Sequence, residues 1–227
     1  MKGSANLRAN LNGKYDAKKY FIGTVQVCAP MFDVNAVLEH YGLAGVLVEI
    51  ALIELCNAFL LRDALADPCQ LFGRYTKLRC SALCVVILLG IQFIAAYASY
   101  LIALAFWRME FHSAHAPYYR NEHCETDLTV TILYGSLVEA GGLLTFKLAE
   151  LVLERSELDS MSLRFLSAIV SGVITVFGIG LTGMYANPIV AWACTFNCGD
   201  VPYLAHFVVY WLAPLSAFMF ADRFISS

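Results

Sequence analysis

Charge is what this chain has least of. Asp, Glu, Lys and Arg make up 15% of its 227 residues, against about 25% in an ordinary soluble domain. Hydrophobic residues account for 59%, and the mean hydropathy is +0.65. A surface so poor in charge excludes a disordered chain and an ordinary water-soluble fold. The net charge of −3 supplies no basic field, which excludes a nucleic-acid partner. No Asn-x-Ser/Thr acceptor occurs. Nothing resembles a nucleophile–base pair, a phosphate loop or a zinc-protease helix, so no enzyme and no cofactor is expected. The eight cysteines lie mostly in or beside apolar stretches and read as small core residues rather than a disulfide framework. A multi-pass helical membrane protein remains, with the lipid bilayer as its first partner.

Residues 81–107 run for 27 positions without a charge, between Arg79 and Arg108. That is long enough to span a bilayer with some tilt. Residues 165–199 form a 35-residue uncharged run containing Gly178, Gly180, Gly183 and Pro188. Too long for one span, it reads as a span followed by a broken, re-entering piece. Residues 201–221 and 128–146 give two further spans, the latter carrying Glu139. Two weaker segments, 20–38 and 42–61, contain Asp33, Glu49 and Glu54. An acid at mid-span costs about 2.5–3.5 kcal/mol on insertion scales.

The basic residues arbitrate. With six alternating spans, thirteen of the fifteen Lys and Arg fall on one side; Arg108 and Arg120 alone fall on the other. The positive-inside rule then puts both termini in the cytoplasm. The expected organisation is a cytoplasmic tail at 1–19, a first half at 20–107, an extracytoplasmic loop at 108–127, a second half at 128–222 and a cytoplasmic tail at 223–227. The first span reads as an uncleaved anchor, because no small-residue cleavage site follows the basic start.

Three spans, a loop and three spans place the halves in opposite orientation, and each half carries a break at an equivalent point. One reads Ala66-Asp67-Pro68-Cys69, the other Ala186-Asn187-Pro188-Ile189. Paired interruptions of this kind point to a permeation or binding site near the midplane. Asp and Asn are favoured N-caps, and proline suits the first helical position, where its missing N–H has no partner. Each motif therefore starts a half-helix, at 67–75 and at 187–197. Irregular backbone at that depth must be buried or line an aqueous cavity. Two positive helix ends meeting there predict a pore that repels cations.

These boxes, with the stretch 180–220, a cysteine eleven residues beyond Asn187 (Cys198) and the Tyr210–Pro214 opening of the last span, resemble the aquaporin family. Asp67-Pro68-Cys69 and the first span at 20–28 are similar in particular to its unorthodox, or superaquaporin, branch (the aquaporin eleven and twelve type). The resemblance implies an all-α fold of six transmembrane helices plus two re-entrant half-helices in an inverted 3+3 repeat. It further implies a channel for water or small neutral solutes such as glycerol or hydrogen peroxide, a homotetramer, and residence in the endoplasmic reticulum or another intracellular membrane. Glu139 matches the buried glutamate that hydrogen-bonds the re-entrant loop in the family, and Cys198 a structurally important cysteine. The first-span glutamate that is the family's symmetry partner of Glu139 appears here as Tyr20.

The chain departs from the family at Asp67, usually Asn, and at Ile189, usually Ala. Val190 stands where water channels carry a constriction arginine, and Leu47, Thr175 and Met184 fall at the other constriction positions. Such an apolar ring can dewet and slow conduction. Two other readings of the motifs are an ion-coupled secondary transporter using Asp67, Glu49 and Glu139, and a non-conducting structural protein of an intracellular membrane. Glu49 is read as hydrogen-bonded inside the bundle. His112, His115, His123 and Cys124 crowd one loop, but no paired ligand frame accompanies them and no metal is expected. Cys198 is open to a bridge with Cys194 or Cys124, a free thiol or an oligomer contact.

Overall fold

A computed structural model describes residues 17–61, 65–77, 80–120, 125–196 and 198–224. The tail at 1–16, His123 and Cys124 lie outside the described residues. All regular structure among the described residues is helical. In chain order these are α1 (Ala17–Met31), α2 (Val34–Leu60), α3 (Pro68–Thr76), α4 (Ala82–Trp107), α5 (His115–Tyr119), α6 (Ile132–Glu154), α7 (Ser160–Thr182), α8 (Pro188–Thr195), α9 (Tyr203–Phe207), a π segment (Val208–Leu212) and α10 (Ala213–Phe224). Among the described residues four stretches are long and apolar enough to cross a membrane: Val34–Leu60, Ala82–Trp107, Ser160–Thr182 and Tyr203–Phe224. Large apolar side chains face outward on the helices, Phe177 at 80% and Leu133 at 74% exposure. In water such a surface would aggregate; against acyl chains it is the expected exterior. The protein is an integral membrane protein.

The early segments divide earlier than the hydropathy pattern predicts. α1 ends at Met31 rather than near residue 38, because Pro30 cannot continue the hydrogen-bond ladder. The Asp33 amide closes a tight turn onto the Pro30 carbonyl at 3.1 Å. α2 then runs across Gly42, whose φ of +63° kinks the helix there without a Cβ penalty. Glu49 differs from its expected role too: its Oε2 is buried with no hydrogen-bond partner among the described residues.

Packing pairs the helices in a recurring way. α1 lies on α4 as α6 lies on α10, and α2 crosses α7. The short α3 packs on α10, and the short α8 on α4. The α2–α7 crossing is close because Gly172 has no side chain; a Cβ there would stand 2.9 Å from the Leu47 carbonyl oxygen. In the last helical rod, the π segment precedes Pro214, whose ring and missing N–H disrupt the regular ladder.

Candidate functional site: two abutting helix starts and their cavities

α3 and α8 begin alike. Asp67 and Asn187 both take extended N-cap geometry, with φ/ψ of −134/122° and −130/112°. Asp67 Oδ1 accepts from the Cys69 amide at 2.8 Å, and Asn187 Oδ1 from the Ile189 amide at 3.1 Å. Pro68 and Pro188 occupy the first helical positions. The two starts touch: Asn187 Nδ2 donates to the Ala66 carbonyl at 3.1 Å. The Asp67 side chain has no amide N–H with which to return that bond. From this junction the stubs lead apart. α3 runs toward Lys77, which pairs with Asp222 near the end of the last helix at 2.6 Å. α8 runs toward Gly199, which abuts Thr126 ahead of that helix's beginning.

The loop before Asn187 is strained. Gly183 closes α7 in the left-handed region at φ 80°, and Met184 and Ala186 both sit at φ 49°. Left-handed backbone costs a non-glycine residue about 1–2 kcal/mol. Glu139, fully buried, offsets this from α6. Its Oε1 accepts from the Thr182 hydroxyl at 2.7 Å and the Tyr185 amide at 3.2 Å, and its Oε2 from the Ala186 amide at 2.7 Å. Tyr210 donates its hydroxyl to the Thr182 carbonyl at 2.8 Å, closing the other side of the turn.

The first loop is held by a residue that the sequence reading passed over. Gln92, fully buried on α4, donates Nε2 to the Leu65 carbonyl at 3.1 Å. Its one signal was that a lone amide interrupts the apolar middle of 81–107. Tyr20 is buried beside Leu65 and Leu71. Gln26 and Asn57 form a second unforeseen pair, Nε2 to Oδ1 at 3.1 Å.

One cavity is lined by the junction itself, and a second borders the same loop at Tyr185. The inner one, about 240 Å³, is lined by Asp67, Asn187, Glu54, Asn57, Lys147 and their neighbours. The outer one, about 550 Å³, is rich in aromatic rings and carries Glu39, Glu125 and Asp127. Asp127 accepts from Asn35 Nδ2 at 3.1 Å and from the Tyr185 hydroxyl. Burial raises the Asp127 carboxyl above its ordinary range, while the bonds from Tyr185 and Asn35 pull it back. Near the outer mouth Asp33 accepts from Trp107 Nε1 at 3.0 Å and lies 3.5 Å from His115 Nε2.

The four constriction positions are not gathered around one cavity. Thr175 and Met184 line the inner one. Val190 packs in the core with Cys28, Ala96 and Ile189, and Leu47 lies against Gly172. Cysteine usage differs from the expectation of packing thiols alone: Cys198 is disulfide-bonded, whereas Cys28, Cys56, Cys69, Cys80, Cys84 and Cys194 are free. Cys194 is therefore not its partner.

No protein-family model matches the chain. Similar proteins are nonetheless found. Aquaporin-11 of Milnesium tardigradum is 28% identical, across 86% of this chain and 70% of that protein. Aquaporin-11 of Equus caballus is 25% identical and that of Homo sapiens 23%, each across 86% of this chain and 71% of theirs. The residue-level resemblance and these similarities agree: the chain is similar to aquaporins, among them aquaporin-11 proteins.

Proposed function

We propose that the protein is a passive membrane channel for water or small neutral solutes such as glycerol and hydrogen peroxide. Its conduit is framed by the Asp67-Pro68-Cys69 and Asn187-Pro188-Ile189 boxes. The observation that carries this reading is the junction itself. Two capped, proline-started helices meet through the Asn187–Ala66 bond, which lines one cavity, while a second borders the same loop at Tyr185. Two positive helix ends at that depth disfavour cations. In this reading α1, α2, α4, α6, α7 and the Tyr203–Phe224 rod are six spans, and α3 and α8 are re-entrant. The exchange of packing partners between α1–α4 and α6–α10, and between α3–α10 and α8–α4, supports an inverted 3+3 repeat. Names of the similar proteins support a channel rather than an enzyme.

Both termini are assigned to the cytoplasm by the charge pattern. The disulfide at Cys198 supports an oxidising compartment on the outer side, such as a lumen or the exterior. An intracellular membrane and a homotetramer follow from the family resemblance. The test is osmotic. Purified protein in liposomes speeds shrinkage in stopped-flow light scattering, and Asn187→Asp, which removes the donor to Ala66, slows it. Wild-type liposomes no faster than empty ones toward water, glycerol and peroxide would refute the proposal.

A further inference from the structure

Inner and outer cavities have two lining residues in common, Met31 and Tyr185. Both residues therefore border each cavity. Met31 is the last residue of α1, brought to this place by the turn that Pro30 and Asp33 make. Tyr185 comes from the strained loop on the opposite half of the molecule.

The Tyr185 ring is fixed at several points. Its amide is held by Glu139 Oε1 at 3.2 Å, and its hydroxyl by the Asp127 carboxylate, which also accepts from Asn35. One face meets Tyr210 nearly edge-on, with ring centroids 5.8 Å apart at 72°. Gly183 leaves the ring its space; a Cβ there would stand 2.5 Å from Tyr185 Cε2. A ring so fixed is a wall rather than a swinging side chain. The positions that family resemblance assigns to the constriction do not occupy this place. Thr175 and Met184 line the inner cavity and not the outer one, and Val190 is packed in the core.

We propose that Tyr185, latched to Asp127, and Met31 together form the size-selecting barrier of this conduit. The inference rests on the channel reading above and names the residues that set its selectivity. A permeant passing here meets a phenol face and a thioether, while the phenol hydroxyl is already engaged by Asp127. It must shed hydrogen bonds without new donors from these two side chains. Small neutral molecules satisfy that requirement better than ions, and water crosses slowly.

The experiment compares water and glycerol flux in proteoliposomes for wild type, Tyr185→Ala, Tyr185→Phe and Met31→Ala, each checked for a monodisperse gel-filtration profile. Expected is a severalfold rise in glycerol flux for Tyr185→Ala and Met31→Ala, which act from opposite walls. Tyr185→Phe keeps the ring but loses the latch, so its rise is smaller. Should Tyr185→Ala fail to fold, Met31→Ala and Tyr185→Phe still decide. A silent wild type overturns the channel reading, and the barrier with it, whatever the variants do. A conducting wild type whose water and glycerol rates match those of the folded variants overturns the barrier and leaves the channel standing.

Discussion

Replacing Glu139 by alanine removes the acceptor for one buried donor, the Thr182 hydroxyl, and two half-buried ones, the amides of Tyr185 and Ala186. The Thr182 hydroxyl can rotate, and its oxygen also accepts from the Met184 amide at 3.2 Å. The amides of Tyr185 and Ala186 cannot turn away. A buried unpaired donor costs about 1–3 kcal/mol, so the two amides together put the loss at about 2–6 kcal/mol. The same bonds hold Met184 and Ala186 at φ 49°, so their loss releases the turn toward ordinary backbone and displaces Asn187. Glu139→Gln keeps one oxygen but turns an N–H₂ toward the other amide, and loses about half as much. For a chain of this size 1 kcal/mol moves an unfolding midpoint by about 2–4 °C. Fluorescence-detected melting in detergent should therefore show a drop of at least about 4 °C for Glu139→Ala, with Glu139→Gln between it and wild type. Osmotic flux falls in the same order. Tyr185 and Ala186 also line the inner cavity, so water is the competing acceptor. An unchanged midpoint and unchanged flux would mean that water replaces the carboxylate, and would refute its role as the support of the turn.

Other expectations are more local. Gly172→Ala puts a Cβ 2.9 Å from the Leu47 carbonyl oxygen, a backbone atom that cannot step aside alone. It should separate α2 from α7 and cost about 1–3 kcal/mol, read as a lower melting midpoint. Gln92→Leu removes the bond to the Leu65 carbonyl, but also removes a buried Oε1 that has no partner. Its net cost should be about 1 kcal/mol or less and smaller than that of Glu139→Ala in the same assay. Asp159 caps α7; bonds from the Ser162 side chain, then from the Ser162 and Met161 amides, hold its carboxyl below the usual range. A lowered folded pKa stabilises above the unfolded value and is lost as pH falls through the folded one. Melting curves taken from neutral pH to below about 3.9 should show that Asp159→Ala weakens the acid sensitivity of wild type.

Much of the outline was legible because it follows from local rules. Long uncharged runs become helices in any apolar solvent, since every backbone N–H must find its partner within the segment. Asp67-Pro68 and Asn187-Pro188 announce helix starts through cap and ring chemistry confined to a few neighbouring residues. The Pro30–Asp33 break was less legible, because the apolar pattern continues past it and hydropathy does not register a missing N–H. Glu139 was found through resemblance, whereas Gln92, which performs a related task on the other half, has no motif around it. A single amide in an apolar run can face lipid or a carbonyl, and periodicity does not distinguish these.

Tertiary structure alone decided what lies between the two helix starts. Sequence established that Pro68 and Pro188 each begin a helix; it did not say that Asn187 reaches Ala66, 121 positions away. Counting along the chain suggested Leu47, Thr175, Met184 and Val190 as one ring, yet a ring requires four backbones to present side chains to one axis. The fold instead puts Val190 in the core and sets Tyr185 and Met31 on the walls of both cavities. Spacing fixes direction only within one helix; between helices, direction is set by packing, and packing depends on every neighbour at once.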